Sequence, residues 1–523
     1  MRRVVSTAIV FALLVVGASA ANAKVLRVGT YKGIRGQFKS IQAAVDVAKP
    51  GDWILVGPGD YKEHSGKTPK GANFKDRPAG VLITKAGIKL RGMNRNSVVV
   101  DGTKPGSAQC SNKGSAQEFG PKLSGKALGL NGIMVWKARN VWVQNLTACN
   151  YLHGAGDTGN EIWWNGGDGS GKVGGFRYYG SYLNATTTFY NGEDTAAQYG
   201  IFSSNWNGGT WANTYASNFN DSGYYIGACR QQCNQIVDGA WSQYSVLGYS
   251  GSNSGGNLVV KNSEFDHNQD GFDTNSQNGD DPAPQNGACP GNTVSKITHT
   301  HSCWVFMNNF VHDNNNPNVP AAGSAAAGPV GTGMSISGGR NNTVMNNRFV
   351  NNGAWGIITV PYTDSGPPCS GGTLNTPIAA CLFEQYGTSI HNNKFSGNGF
   401  FGHPSNGDVS NYTFEAGHPT NCYFGNTEIG GGALKGDLPG LQSAHPTCTS
   451  TPAPASSSNP QFLAEVLCDS QVELGGQPSP CPSGQYPRKT KTVMHPLPTK
   501  QLMSMPNPCA GVPKNPWCTG RKA

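Results

Sequence analysis

With 72 glycines among 523 residues and 37% hydrophobic content, the chain suits many short strands joined by turns and excludes a helical bundle. Its formal charge of +9 is compatible with an acidic partner. Arg2, Arg3, Arg488, Lys489, Lys491, Arg521 and Lys522 carry much of that charge near the two ends, however, and neither a dense basic run nor a nucleic-acid motif is present, so a nucleic-acid groove is excluded.

The first 23 residues place two arginines before an apolar run and end in an Ala21-Asn22-Ala23 cleavage pattern, which predicts a secretory signal peptide over 1–23. That run is shorter than the roughly 20 residues a bilayer requires, and no later segment is longer. The expectation is therefore an exported protein, extracellular or attached to a cell surface, with no membrane span, acting as a monomer. Fourteen cysteines agree with an oxidising compartment. Their spacing predicts local staples: Cys229–Cys233, Cys289–Cys303, Cys369–Cys381, Cys468–Cys481 and Cys509–Cys518.

Next comes FKSIQAAVDVAKPGDWILVGPGDYKE, residues 38–63, in which Phe38, Ile41, Ala44, Val45 and Ala48 share one helical face. A short amphipathic helix followed by an apolar strand can cover the open end of a solenoid. A repeat then follows through the body of the chain: NLTACN (145–150), SEFDHN (263–268), NNFVHDN (308–314), NNRFVNN (346–352) and NNKFSGN (392–398). Each copy reads as a short strand with an inward apolar residue, then a tight bend of the Asn and Gly residues that tolerate left-handed backbone. One unit cannot bury its own apolar face, whereas stacked coils can, with asparagine side chains bonding from coil to coil. The prediction is an all-β right-handed parallel β-helix over 24–445, in preference to a propeller or a sandwich. A Pro/Ser-rich linker is expected at 446–460 and a Cys/Pro-rich tail at 461–523.

Aligned on the glycine opening each strand, the coils read GIMVW (132–136), GIFSS (200–204), GYYIG (223–227), GFDTN (271–275), GMSIS (333–337) and GIITV (356–360). With a side-chain period of two, Phe272 and Thr274 point inward, while Asp273 and Asn275 point outward. Asp270, at the bend, leans over the same outer face. Tyr225, Ser250 and Ser335 fall at outward positions of nearby coils. FDHNQDGFDTNSQNGDD (265–281) thus brings Asp270 and Asp273 towards a groove suited to a polysaccharide; Asp266 is a further acid for a hydrolytic carboxylate pair, and Asp280 and Asp281 are expected in the following loop. Aromatic clusters in EIWW (161–164), FRYYGSYL (176–183) and NWNGGTW (205–211) add rings for stacking, Trp163 and Trp164 among them. Tyr225, Asn275, Trp163 and Trp164 are the expected substrate contacts. His299 and His301 in THTH have the spacing of a metal pair but no third ligand in view.

The helix, PGD, strand and PGDYKE pattern of residues 38–63, followed by the coils, resembles the pectate lyase-like superfamily of secreted β-helix proteins over about residues 24–440. NQDGFD (268–273) is similar to the calcium coil of the ninth polysaccharide lyase family, Asn-x-Asp-Asp-Gly-Phe-Asp, matching at Asn268, Asp270, Gly271, Phe272 and Asp273 and departing at Gln269. The resemblance implies calcium held by Asp270 and Asp273, and β-elimination from a uronate-containing, acidic polysaccharide. The family's basic lysine aligns with Ser335 in GTGMSISGG (331–339), which leaves Arg340 and Arg230 as candidate bases. The Gly-His-Gly and Arg-Ile-Lys signatures of polygalacturonases and the Asp-Pro-His-Asp of mannuronan epimerases are missing. A glycoside hydrolase using the same acids, and a non-catalytic glycan-binding surface protein, are the alternatives.

Overall fold

The computed structural model describes residues 23–519 apart from 193–194, 231, 279–301, 322–323, 365, 370, 377–378, 414–420, 438–439, 448–461, 463, 467 and 469–485. The expected signal peptide and linker, His299, His301, Asp280 and Asp281 lie wholly or almost wholly outside the described residues. Ten strands, one per coil from Ala79–Ile83 to Gly407–Asn411, stack in parallel and in chain order into one wall. A 20-stranded array, to which single coils give two strands such as Leu258–Lys261 and Glu264–Asp266, supplies the rest. This is the right-handed parallel β-helix expected from the repeats.

Inward residues align coil upon coil, and their burial holds the stack together. Phe265, Val311, Phe349 and Phe395 form one such column, all fully buried. The asparagine pairs explain how each coil turns. Asn308, Asn346 and Asn392 take left-handed backbone, with φ of 56°, 58° and 55°. The residue after each of them points inward. Asn309, Asn347, Asn393 and Asn426 form a buried ladder in which each Nδ2 donates to the next Oδ1, at 3.1, 2.9 and 3.0 Å. A second ladder runs Asn268, Asn314, Asn352, Asn398, and ends on Asp408. Each side chain also bonds backbone groups of adjacent turns, as Asn347 does to the Phe306 carbonyl at 3.0 Å, so the corner polar groups are satisfied away from water.

Helix Ile41–Val47 closes the N-terminal end. Ser40 caps it by accepting from the Ala43 N–H at 3.3 Å, and Glu63 accepts from the Ile41 and Gln42 N–H groups. Ile41 and Ala44 are fully buried, and Val45 and Ala48 nearly so, in one cluster with Val28, Ile54 and Val56 of the first coils. The double variant Ile41→Asp/Val45→Asp is expected to lose about 3–5 kcal/mol, because two charges would enter that apolar contact. Thermal denaturation checks this, and an unshifted melt would mean that the helix does not seal the solenoid.

Residues 486–519, the longest described part of the tail, form a strap laid back along the solenoid. Thr490 and Lys491 donate backbone N–H groups to Asn318, His495 exchanges bonds with Asn218, and Met505 N–H reaches Asn145 at 2.8 Å. Arg91 donates to the carbonyls of Pro508 and Ala510, and Trp517 Nε1 reaches the Ile34 carbonyl beside the first coil. Disulfides Cys229–Cys233, Cys369–Cys381 and Cys509–Cys518 join the expected partners. Cys110–Cys149 is a pairing the spacing did not suggest, because it bridges 39 residues between coils. Cys303 is disulfide-bonded, as are Cys422 and Cys468, while Cys289 and Cys481 of the two remaining expected pairs lie outside the described residues.

Candidate active site

On the ten-stranded wall the outward residues Tyr225, Ser250, Asp273, Ser335 and Ile358 stand in one row across five successive coils. Asp270 opens the strand Asp270–Asn275. Gly271 and Phe272 both turn inward, a Cβ on Gly271 meeting Val311 and Asn314 in the interior, so Asp270 and Asp273 emerge on the same side. Ser335 Oγ lies 2.8 Å from Asp270 Oδ2 and 2.5 Å from Asp273 Oδ1. A hydroxyl has one hydrogen. If both contacts are hydrogen bonds, Ser335 donates to one carboxylate and accepts from the other acid in its protonated form.

These groups line a cavity of about 420 Å³. Asp221 joins them there from the bend before the strand Ser222–Gly227, and its Oδ2 accepts from Tyr199 Oη at 3.2 Å. Tyr225, Tyr362 and Trp355 add rings, and the turn at Ser324–Ala327 with Gly328 and Pro329 forms the opposite wall. Burial drives the electrostatics. It pushes Asp221 up to about 7, aided by the charge of Asp273. It pushes Asp273 up to about 6 against hydrogen bonds from Ser335, Asn275 and Ser337. It lifts Asp270, with Asp273 beside it, well above the ordinary carboxylate range. Tyr362 is driven up to about 12 by burial and then by Asp273, so it stays a hydroxyl donor at neutral pH.

Both departures from the calcium-coil motif have physical accounts. Gln269 donates its amide to the carbonyls of Ala326 and Gly328, at 3.0 and 2.6 Å, which ties the opposite wall in place; an ionised carboxylate has no hydrogen to donate there. Ser335, in the lysine position, holds the two acids together.

Several expected site residues lie elsewhere. Among the described residues no Lys, Arg or His lines the cavity. Arg340 is buried, donating to the carbonyls of Glu384 and Gly371 with its guanidinium over Tyr386, and Arg230 bonds the Gly171 carbonyl. Neither is in position to act as a base there. Trp164 points into the core and is fully buried against Tyr178 and Trp211, which corrects its reading as a sugar contact. Trp163 does face outward, but it is stacked on Phe202 and roofed in a cluster with Phe74, so it is closed to a ligand. Tyr225 and Asn275 line the cavity. Asp266 sits on the 20-stranded array, away from Asp270 and Asp273.

No family model matches the chain, and no curated protein matches it in sequence. Among solved structures it is similar to the A-module of mannuronan C-5 epimerase AlgE4 of Azotobacter vinelandii (12% identity, 74% of this chain and 90% of that one, TM-score 0.40). It is also similar to a polygalacturonase from Erwinia carotovora (10%, 78% and 93%, TM-score 0.37) and to pectate lyase Pel9A (14%, 64% and 76%, TM-score 0.30).

Proposed function

We propose that the protein is an exported, disulfide-stapled glycoside hydrolase that cleaves an extracellular polysaccharide with the carboxyl groups of Asp270 and Asp273. The observation that carries this reading is the pair of acids meeting at one hydroxyl inside a cavity lined by tyrosines, with burial raising Asp270 well above the ordinary carboxylate range while Asp273, raised to about 6, is ionised at neutral pH. Asp270, the more deeply buried, is the proton donor to the leaving oxygen. Asp273 is the carboxylate that attacks the anomeric carbon, and Asp270 then takes a proton from the water that frees the sugar. Their meeting at Ser335 favours the separation of about 5–5.5 Å used with retention of configuration over the wider spacing that admits a water. Tyr225 offers a ring to the sugar face, and Asp221 and Asn275 offer hydrogen bonds to its hydroxyls.

Calcium-assisted elimination is the second reading. Its support is that Asp221, Asp270 and Asp273 share a cavity with no basic side chain among the described residues to balance them. Calcium would be held by Asp270 and Asp273 and would supply the charge that neutralises a uronate. Elimination would still need a base, and the described lining contains no Lys, Arg or His to serve as one. Incubation of the purified chain with a polysaccharide panel, with and without chelator, separates the readings. New reducing ends formed equally with chelator support hydrolysis. Unsaturated, ultraviolet-absorbing ends formed only with calcium would replace it with the lyase reading.

A further inference from the structure

The acid that the main cavity does not use, Asp266, belongs to a second cluster on the outer face of the 20-stranded array. Glu264 and Asp266 lie on one strand and His312 on the next, paired in register as Glu264↔Phe310 and Asp266↔His312. One ligand atom from each of Glu264, Asp266 and His312 lies within 4.8 Å of the other two. His312 Nε2 stands 3.0 Å from Glu264 Oε1, while its Nδ1 is held at 2.7 Å by Asp313 Oδ2. A neutral imidazole carries one ring hydrogen, so one of these two nitrogens must present a lone pair to a carboxylate. With the single hydrogen of a neutral ring on Nδ1, towards Asp313, the lone pair is on Nε2 and faces into the cluster. Two acceptors then face each other, an arrangement that either a second ring proton or a cation between them relieves. Two donors on a tetrahedral zinc ion at about 2.0–2.1 Å stand about 3.3 Å apart, so the Glu264–His312 spacing is close to that of adjacent ligands. Asp266 is buried and oriented by Trp241 Nε1 at 2.6 Å and Gln243 Nε2 at 2.7 Å, as outer partners orient a ligating carboxylate. Glu264 is about half exposed, which leaves an open side for the ion to enter.

We propose that Glu264, Asp266 and His312 form a site for a divalent transition-metal ion, of the zinc type, separate from the cavity of Asp270 and Asp273. One imidazole and two carboxylates suit such an ion, and the exposed side leaves a coordination position for water. The Asp313–His312 bond is the carboxylate–histidine support that fixes the tautomer and strengthens the nitrogen ligand. The groups facing His312 are Glu264, Asp266, Asp313 and His267, whose own Nδ1 bonds Asp266. On this arrangement, metal binding displaces a proton from the cluster and weakens as pH falls.

Calorimetric titration of zinc chloride into the full chain is the test, with near-ultraviolet circular dichroism on each variant to verify folding. Zinc should bind the parent, and His312→Ala and Glu264→Gln should each weaken binding by about 100-fold or more, while Asp313→Asn weakens it by about 10–100-fold. Glu264 is a surface residue, so Glu264→Gln keeps the test valid if His312→Ala fails to fold. Asp273→Asn and His299→Ala/His301→Ala should bind zinc as the parent does. Three results would each overturn the proposal: no heat of binding in the parent, equal affinity in parent and Glu264→Gln, or loss of binding only in the His299→Ala/His301→Ala variant. In the first case the cluster is an imidazolium bridge between carboxylates, and in the last the metal sits on THTH.

Discussion

Asp273→Asn is expected to cut polysaccharide turnover by at least about 10²–10⁴-fold, because an amide cannot replace the attacking carboxylate, without lowering the melting temperature at neutral pH. The second half follows from the direction of its shift. Burial raises Asp273 from 3.8 to about 6, so the folded protein holds a proton there that the unfolded chain has released. The stability linked to that proton is fully present below about pH 4 and is lost as pH rises through about 6. Asp221, pushed up to about 7, and Asp270 act in the same direction. An amide at 273 carries no charge to bury, so the variant should lose less stability than the parent between pH 4 and pH 7. Thermal melts across that window, together with a reducing-end assay, check both halves. Full turnover in the variant would remove Asp273 from the chemistry.

Asn347→Ala should be the most damaging single change in the solenoid, at about 3–5 kcal/mol. Asn347 Oδ1 accepts from the backbone N–H of Asn309 at 2.9 Å and from its Nδ2 at 3.1 Å, and Asn347 Nδ2 donates to the Phe306 carbonyl and to Asn393. Alanine would strand these groups in a fully buried corner. Removing the neighbouring turn residue, Asn346→Ala, should cost less, because its loss is mainly the strain of an alanine at φ 58°. Chemical denaturation of the two variants tests the order, and a reversed order would mean that the turns, not the ladder, set the stability.

That difference between Asn346 and Asn347 also explains how much of the fold could be read from the chain. Paired asparagines before each strand signal a turn residue and a ladder residue together, and the face of Ile41, Ala44 and Val45 signals a cap. The convergence of Asp270 and Asp273 was legible because Gly271 breaks the strict alternation between them. The same parity would have placed Trp164 inward, but its coil carries Glu161 where the other coils have glycine, and so the register was not visible. Asp221 was missed because it lies two residues before Gly223, whereas Asp270 lies one before Gly271, and the two coils bend differently. The wall at Ser324–Ala327 comes from a loop some fifty residues beyond the acids, and no periodicity links a loop to a groove. Arg340 and Arg230 fail as bases for a related reason. Sequence gives their charge and nearness in number, while the carbonyls that hold them away from the cavity are set by tertiary packing.

The pH dependence of kcat/KM shows whether Asp270 and Asp273 work as an acid and a carboxylate within one cavity. A bell-shaped profile is expected. Its acid limb should lie near pH 6, where Asp273 ionises, and its alkaline limb higher, where the pair loses its second proton. Asp270→Asn should retain a small activity, through its amide hydrogen bond, that lacks the alkaline limb. An alkaline limb unchanged in Asp270→Asn, or a parent profile flat from pH 5 to pH 9, would mean that these two residues do not act as the acid and the carboxylate.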